Sequence, residues 1–174
     1  MNRRASLIAF TAAVVVQVLI LVAMPARKAM TLATGKPAVL QVRPVDPYSI
    51  LSGYYVTLGY EIGDVSAFPN AREFSHGDRC YAVIERGDGG VWRPVSLERE
   101  LPAGLPDNRV AILGRLKYQI IEYGIEDFYI PETRREAIAD DLDKNPDKAR
   151  VEVRIDSGGN AALERLRIED RVYE

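Results

Sequence analysis

The side chains best suited to chemistry lie in the segment Asp141-Leu-Asp143-Lys-Asn145-Pro-Asp147-Lys-Ala-Arg-Val-Glu152. Carboxylates or an amide stand at positions 1, 3, 5 and 7, and a glutamate stands at position 12, the spacing by which an EF-hand loop surrounds calcium with oxygen. Two residues argue against calcium. The sharp turn at position 6 needs Gly, but Pro146 stands there with φ locked negative, and it constrains Asn145 as well. Position 8, normally apolar, is Lys148. The segment reads as an acidic helix end running into a turn, and neither a metal nor any other cofactor is expected.

Nucleophilic catalysis is the next chemistry to weigh. Ser49 or Ser52 with Lys117 as base would make a signal-peptidase-like hydrolase, provided the lysine were desolvated enough to lose its proton. The spacing from Pro47 is off by one, and Tyr54 stands where such enzymes carry Asp. His76-Gly-Asp78 has the types needed to orient a base, yet a lone His in a Ser/Gly/Asp loop reads as solvent-exposed. Cys80 lies in the apolar run Cys80-Tyr-Ala-Val-Ile84 and reads as a small buried hydrophobe. One cysteine cannot form an internal disulfide, and one His and one Cys leave a structural zinc site or a Cys–His pair without ligands. Tyr81 and Trp92 would stack on a sugar or peptide if exposed, and read as packing residues otherwise.

The elements that would position these groups are mostly strands. Short runs with a period of two are broken by Gly, Pro and Asp. In the run from Tyr54 to Ile62, Tyr54, Val56, Leu58, Tyr60 and Ile62 share one face, while Tyr55, Thr57, Gly59 and Glu61 share the other. Ala38–Arg43, Arg79–Glu85, Val91–Val95, Arg150–Ile155 and Ala161–Ile168 read as further strands, and Val110–Lys117 with Gln119–Ile130 as two or three more. Arg86-Gly-Asp-Gly-Gly90 and Asp156-Ser-Gly-Gly-Asn160 are hairpin turns. One short helix is expected from Pro131 and Glu132 to Asp143, stopped by Asn145-Pro146. The expected fold is mainly β: a small antiparallel β barrel or sandwich-like domain with one short helix, preceded by a transmembrane helix.

That preceding helix is the uncharged run Ala5–Met24, whose twenty residues at 1.5 Å each span about 30 Å of hydrocarbon. A cleaved signal fits poorly, since a cut after Ala26 puts Met24 at −3 and a cut after Ala29 puts Arg27 there. Residues 1–28 are therefore read as an uncleaved anchor contacting the lipid bilayer through residues 5–24, and residues 29–174 as one domain. Gln17, the one amide in the span, is read as tolerated by the membrane, and would otherwise bond to a partner helix. The expected topology is single-pass in the inner (plasma) membrane, with the N-terminus cytoplasmic and the domain extracytoplasmic, periplasmic in a Gram-negative cell. The link from Arg27 to Ala38 is short enough to hold the domain near the bilayer. Residues 1–28 hold four bases and no acid, so the remaining 146 residues carry 19 bases and 25 acids, a net charge of −6. That charge excludes nucleic acid as a partner.

Two further stretches carry a family resemblance. Leu51-Ser-Gly-Tyr-Tyr-Val-Thr-Leu-Gly-Tyr60, with Thr31-Leu-Ala-Thr-Gly35 and Pro44-Val-Asp-Pro47 before it, and Tyr123-Gly-Ile-Glu-Asp-Phe-Tyr-Ile-Pro-Glu132 together resemble the bacterial GDYXXLXY family of membrane-anchored proteins. Gly53, Tyr55, Leu58 and Tyr60 match the first motif, with Tyr54 where the family has Asp. Tyr123, Gly124, Glu126, Pro131 and Glu132 match the second. The resemblance implies an anchored extracytoplasmic domain of undefined biochemical role, with a larger multi-pass membrane protein as a possible partner. Gly53 is expected to permit a sharp entry into its strand. The inward tyrosines are expected in the core, with Glu126 or Glu132 as hydroxyl partners, or with both acids in surface loops. The leading expectation is a non-enzymatic accessory domain, with a ligand- or peptide-binding module and the Ser/Lys hydrolase as alternatives.

Overall fold

The apolar N-terminal run folds as helix α1, which spans Arg3–Thr34 rather than stopping at Met24. Pro25 lies inside it: a proline removes one i→i−4 hydrogen bond, and here the helix continues past that gap. The computed structural model describes residues 3–43, 51–52, 55–129 and 135–173. The helix is long and apolar enough to cross a membrane, and from Leu7 to Val22 its large apolar side chains are 41% to 70% exposed. A soluble core helix would bury such residues.

The link expected between Arg27 and Ala38 is therefore mostly helix. Strand β1 (Lys36–Arg43) begins after a single intervening residue, Gly35, whose N–H donates to the Thr31 carbonyl at 2.8 Å. A Cβ on Gly35 would lie 2.5 Å from that carbonyl oxygen and 2.9 Å from the Ile155 nitrogen, so only glycine fits. Thr31 is a buried polar residue, and its hydroxyl donates to the Asp156 carboxylate at 3.0 Å. The same carboxylate accepts from the backbone of Gly158 and from the backbone and side chain of Asn160. The helix end is thus locked onto the hairpin between β10 (Ala149–Ile155) and β11 (Ala161–Ile168).

The domain is mainly β and sandwich-like; its antiparallel sheets do not close into a barrel among the described residues. A five-stranded sheet runs β12 (Arg171–Tyr173), β11, β10, β1, β4 (Gly59–Tyr60). A four-stranded sheet runs β6 (Trp92–Glu98), β5 (Arg79–Arg86), β7 (Arg109–Lys117), β8 (Ile120–Glu122). A third pairs β2 (Leu51–Ser52), β3 (Tyr55–Thr57) and β9 (Asp127–Tyr129). Alternation sorts the faces as expected: Val151, Val153 and Ile155 are buried, while Arg154 pairs outside with Glu164. Leu40, Ile84, Leu97, Ile112 and Leu166 fill the space between the sheets.

One expected strand is divided, and of the two or three strands expected across 110–130 the structure has three. The run 54–62 becomes β3, then β4, then a 3₁₀ turn over Glu61–Gly63. The run 119–130 becomes β8 and β9 in different sheets. Helix α2 occupies Arg135–Lys144, so the expected first turn at Pro131 and Glu132 lies outside the described residues.

The joint makes two predictions. Gly35→Ala should lower the unfolding free energy of the domain by about 1–3 kcal/mol, as overpacking against backbone does, measured by denaturant unfolding. Burial pushes the Asp156 carboxyl up, but hydrogen bonds from Asn160, Thr31 and Gly158 outweigh it and hold the group below its usual value. Its stabilising contribution is therefore complete above the unfolded carboxylate range, about pH 4, and is lost as pH falls through the lower folded value. Asp156→Asn should show a shallower acid-induced loss of stability than the parent chain, and an identical profile would exclude Asp156 as a source of that dependence.

Candidate functional site

The two motif stretches meet. β3 pairs antiparallel with β9, placing Tyr55 opposite Tyr129, Val56 opposite Phe128 and Thr57 opposite Asp127. The Leu58 N–H then donates to the Glu126 carbonyl at 2.7 Å. Beyond it the two chains exchange tyrosines. The Tyr60 hydroxyl donates to the Ile125 carbonyl at 2.5 Å, and the Tyr123 hydroxyl donates to the Ile62 carbonyl at 2.5 Å. Each segment thereby satisfies a carbonyl of the other. Both rings are buried, and burial first, with Glu126 nearby second or third in effect, pushes both phenols well above their ordinary value. A phenol that stays protonated is a permanent donor, which is what the two carbonyls require.

Glu126 has a different role from the one its sequence position suggested. Its carboxylate accepts from the Tyr123 N–H at 2.6 Å and the Gly124 N–H at 2.8 Å, closing a turn within its own segment. Neither Tyr60 nor Tyr123 donates its hydroxyl to it; backbone carbonyls receive both. Gly124 has φ of +77°, the left-handed region that glycine enters without a Cβ clash. Gly114 is a partner that the motif reading missed. A Cβ there would lie 2.5 Å from Ile121 Cγ2 and 3.1 Å from the Tyr123 ring, so its bareness makes room for that ring. The available signal was a single glycine inside the otherwise regular strand 110–117.

Of the other motif residues, Leu58 is buried in the core. Gly53, Pro131 and Glu132 lie outside the described residues, as does the Tyr55 side chain; for Tyr55 the backbone pairing alone is described.

The remaining candidate groups are engaged elsewhere. Asp141 accepts from Arg171 and Tyr173, and the tyrosine hydrogen bond first, then the guanidinium, holds its carboxyl below the usual range. Glu152 pairs with Arg165 and Arg167, and Lys148 with Glu169. The calcium-like spacing thus supplies carboxylates to arginines, and among the described residues no three His, Cys, Asp or Glu converge as metal ligands. Lys117 is exposed and pairs with Glu122 at 2.6 Å, a charged setting opposite to what a lysine base needs. Ser49 and the Ser52 side chain lie outside the described residues. His76 is exposed; its Nδ1 accepts from the Tyr118 N–H at 3.0 Å and its ring lies against that tyrosine. Asp78 bonds the Ser75 N–H and Arg99 instead of the histidine. Cys80 is free and fully buried, its thiol pushed up to about 11 by burial, and Trp92 is packed in the core. A surface cleft of about 520 Å³ is walled by Gln41, Arg43, Glu61, Asp64 and Asp147, with Arg43 and Asp64 paired across it.

What the described motif residues build is a clasp between two segments some sixty residues apart. The family model described as GDYXXLXY protein matches residues 17–166, which takes in both halves of the clasp and the second half of α1. No curated protein and no solved structure matches the chain.

Tyr123→Phe should cost about 1–2 kcal/mol, because the Ile62 carbonyl stays buried without its donor. Tyr60→Phe should cost a similar amount, and the double variant should depart from the sum, since both bonds tie the same pair of segments. Urea unfolding measures all three. A Tyr123→Phe variant as stable as the parent would remove the clasp from this account.

Proposed function

This chain belongs to the GDYXXLXY family, and from that premise we propose that it is a membrane-tethered, non-enzymatic accessory domain of the bacterial envelope. One observation carries the proposal. The uncovered apolar surface of α1 continues, through Gly35 alone, into a folded domain that grips the helix end. Such a helix loses free energy in water and gains it in a bilayer, and its apolar length matches the hydrocarbon thickness. With residues 5–24 in lipid and the short arginine-bearing end inside, the acidic domain lies on the outer side of the plasma membrane.

An accessory role is supported by how the family motif is used. Its described polar groups are turned inward to hold the fold, and the candidate base Lys117 is paired at the surface. The joint at Gly35 holds the domain close to the bilayer, where a multi-pass membrane protein presents its loops. Such a protein is the partner proposed here.

The full chain should remain in the membrane pellet after alkaline carbonate extraction. A tagged copy solubilised in mild detergent should bring down a multi-pass membrane protein in stoichiometric amount. Release by carbonate would overturn the anchor, and recovery of the tagged chain alone would overturn the partner.

A further inference from the structure

We propose that the β7–β8 turn docks an acidic segment of another protein, with Tyr118 as the anchor and Arg79 and Arg115 as the charges beside it. This rests on the accessory reading, since a domain of that kind acts through what it touches. Lys117 stands opposite Ile120, which leaves Tyr118 and Gln119 as the whole loop. Tyr118 has φ of +57°, and a positive φ in a two-residue hairpin loop ordinarily belongs to Gly, Asn or Asp. Its side chain is 82% exposed, more than any large apolar side chain described on α1. Neither backbone preference nor burial explains a tyrosine there. Backbone strain of this kind clusters at binding sites, and tyrosine is among the residues that dominate protein interfaces.

The turn is held in place from both sides. In the loop before β5, the Gly77 N–H donates to the Leu116 carbonyl at 2.7 Å, and the Leu116 N–H donates to the Asp78 carbonyl at 2.9 Å. His76, placed by those bonds, accepts from the Tyr118 N–H at Nδ1, and its ring centroid lies 4.5 Å from that of the tyrosine. Across the turn the Val65 N–H donates to the Gln119 carbonyl at 3.1 Å. A ring braced in advance loses less freedom when a partner covers it.

Charge gives the chemistry of that partner. Arg79 on β5 and Arg115 on β7 are exposed and directly opposite each other, an arrangement in which like charges repel. Among the described residues neither has an ion pair. On the same face follow Lys117, paired with Glu122 at 2.6 Å, and Ile120, 58% exposed. Arg79, Arg115 and Lys117 against Glu122 give this end of the sheet face a charge of +2, in a domain of net charge −6. Asp64 and Asp78, on the flanking loops, are held by Arg43 and Arg99. One row further in stand Tyr81, half-buried, and Glu98 opposite it on β6. Two copies meeting turn to turn would bring like charges together, so the complement is a carboxylate-rich segment of a different chain. The nine residues of β7, at about 3.3 Å each, carry the turn roughly 25 Å from Arg109, whose carbonyl meets Lys36 at the joint. This end of the sheet is remote from the helix, which favours a protein over the bilayer as what covers it.

Tyr118→Gly separates anchoring from folding. Glycine suits the positive φ and removes the ring, so the variant should unfold at a urea midpoint equal to or above that of the parent. The same variant of the full chain, tagged and solubilised in mild detergent, should recover about tenfold less of the partner that the parent brings down. Arg115→Glu should lower recovery as far, and Arg115→Lys should keep most of it. Benzoylphenylalanine in place of Tyr118, photolysed in intact membranes, should form adducts with a carboxylate-rich segment of another protein, identified by mass spectrometry. A lower urea midpoint for Tyr118→Gly would overturn the proposal, because the tyrosine would then serve the fold through His76. Adducts with lipid alone, or with a second copy alone, would overturn it too. If the parent brings down a partner and Tyr118→Gly and Arg115→Glu recover it undiminished, this surface is wrong and the accessory reading stands. If the parent comes down alone, the accessory reading fails and this docking site with it.

Discussion

Two buried phenols cross between two strands, and the middle of this fold hangs on them. A hydroxyl taken into an apolar interior without a partner costs several times what its hydrogen bond returns, and so does a carbonyl left bare. Tyr60 and Tyr123 answer both costs at once, each donating to a carbonyl on the segment that bears the other. The exchange has a topological effect. Tyr60 belongs to the five-stranded sheet through its pairing with Val42, while Tyr123 follows directly from β8 of the four-stranded sheet. The third sheet, through β3 and β9, joins the same two segments. All three sheets are thus tied where the phenols cross, and the glycines at 114 and 124 are the backbone conditions for it, one clearing room for a ring and the other permitting the turn.

This explains which parts of the structure could be read in the chain. Alternation from Val56 to Ile62 correctly identifies a buried face, since Val56, Leu58, Tyr60 and Ile62 are all in the core. It could not reveal that the strand changes partner at Leu58, because a period of two reports which face is buried and is silent about which strand lies alongside. The same limit hid which sheets the strands after Gln119 join. Glu126 illustrates a second limit. A carboxylate near buried tyrosines is a reasonable hydroxyl acceptor by composition, but the amides of residues 123 and 124 are nearer along its own chain, and a local turn satisfies it first. The calcium-like spacing, already set aside in the sequence because of Pro146 and Lys148, illustrates a third limit: the cations that pair with Asp141 and Glu152, namely Arg165, Arg167 and Arg171, come from strands later in the sequence.

The family motif is easier to understand once its residues are seen as parts of one clasp. A motif that supplies a catalytic group leaves at least one reactive side chain facing a cleft. Here Leu58, Tyr60 and Tyr123 face the core, and Gly124 and Glu126 shape a turn. These residue types are those that a specific backbone crossing demands, and a chain can vary its surface freely around them.

The length of α1 bears on how the domain is held. A helix ending at Met24 followed by a dozen extended residues would let the domain drift tens of ångströms from the bilayer in any orientation. A helix that runs to Thr34 and passes through one sterically fixed glycine does the opposite. The Thr31 hydroxyl adds the rotational restraint, because a bond from the helix flank to the β10–β11 hairpin sets the azimuth of the domain about the helix axis. The path of the chain and the azimuth of the domain about the helix are thus both fixed, by Gly35 and by the Thr31 hydroxyl. An orientation set within the fold in this way is a degree of freedom that any association made through the domain need not remove.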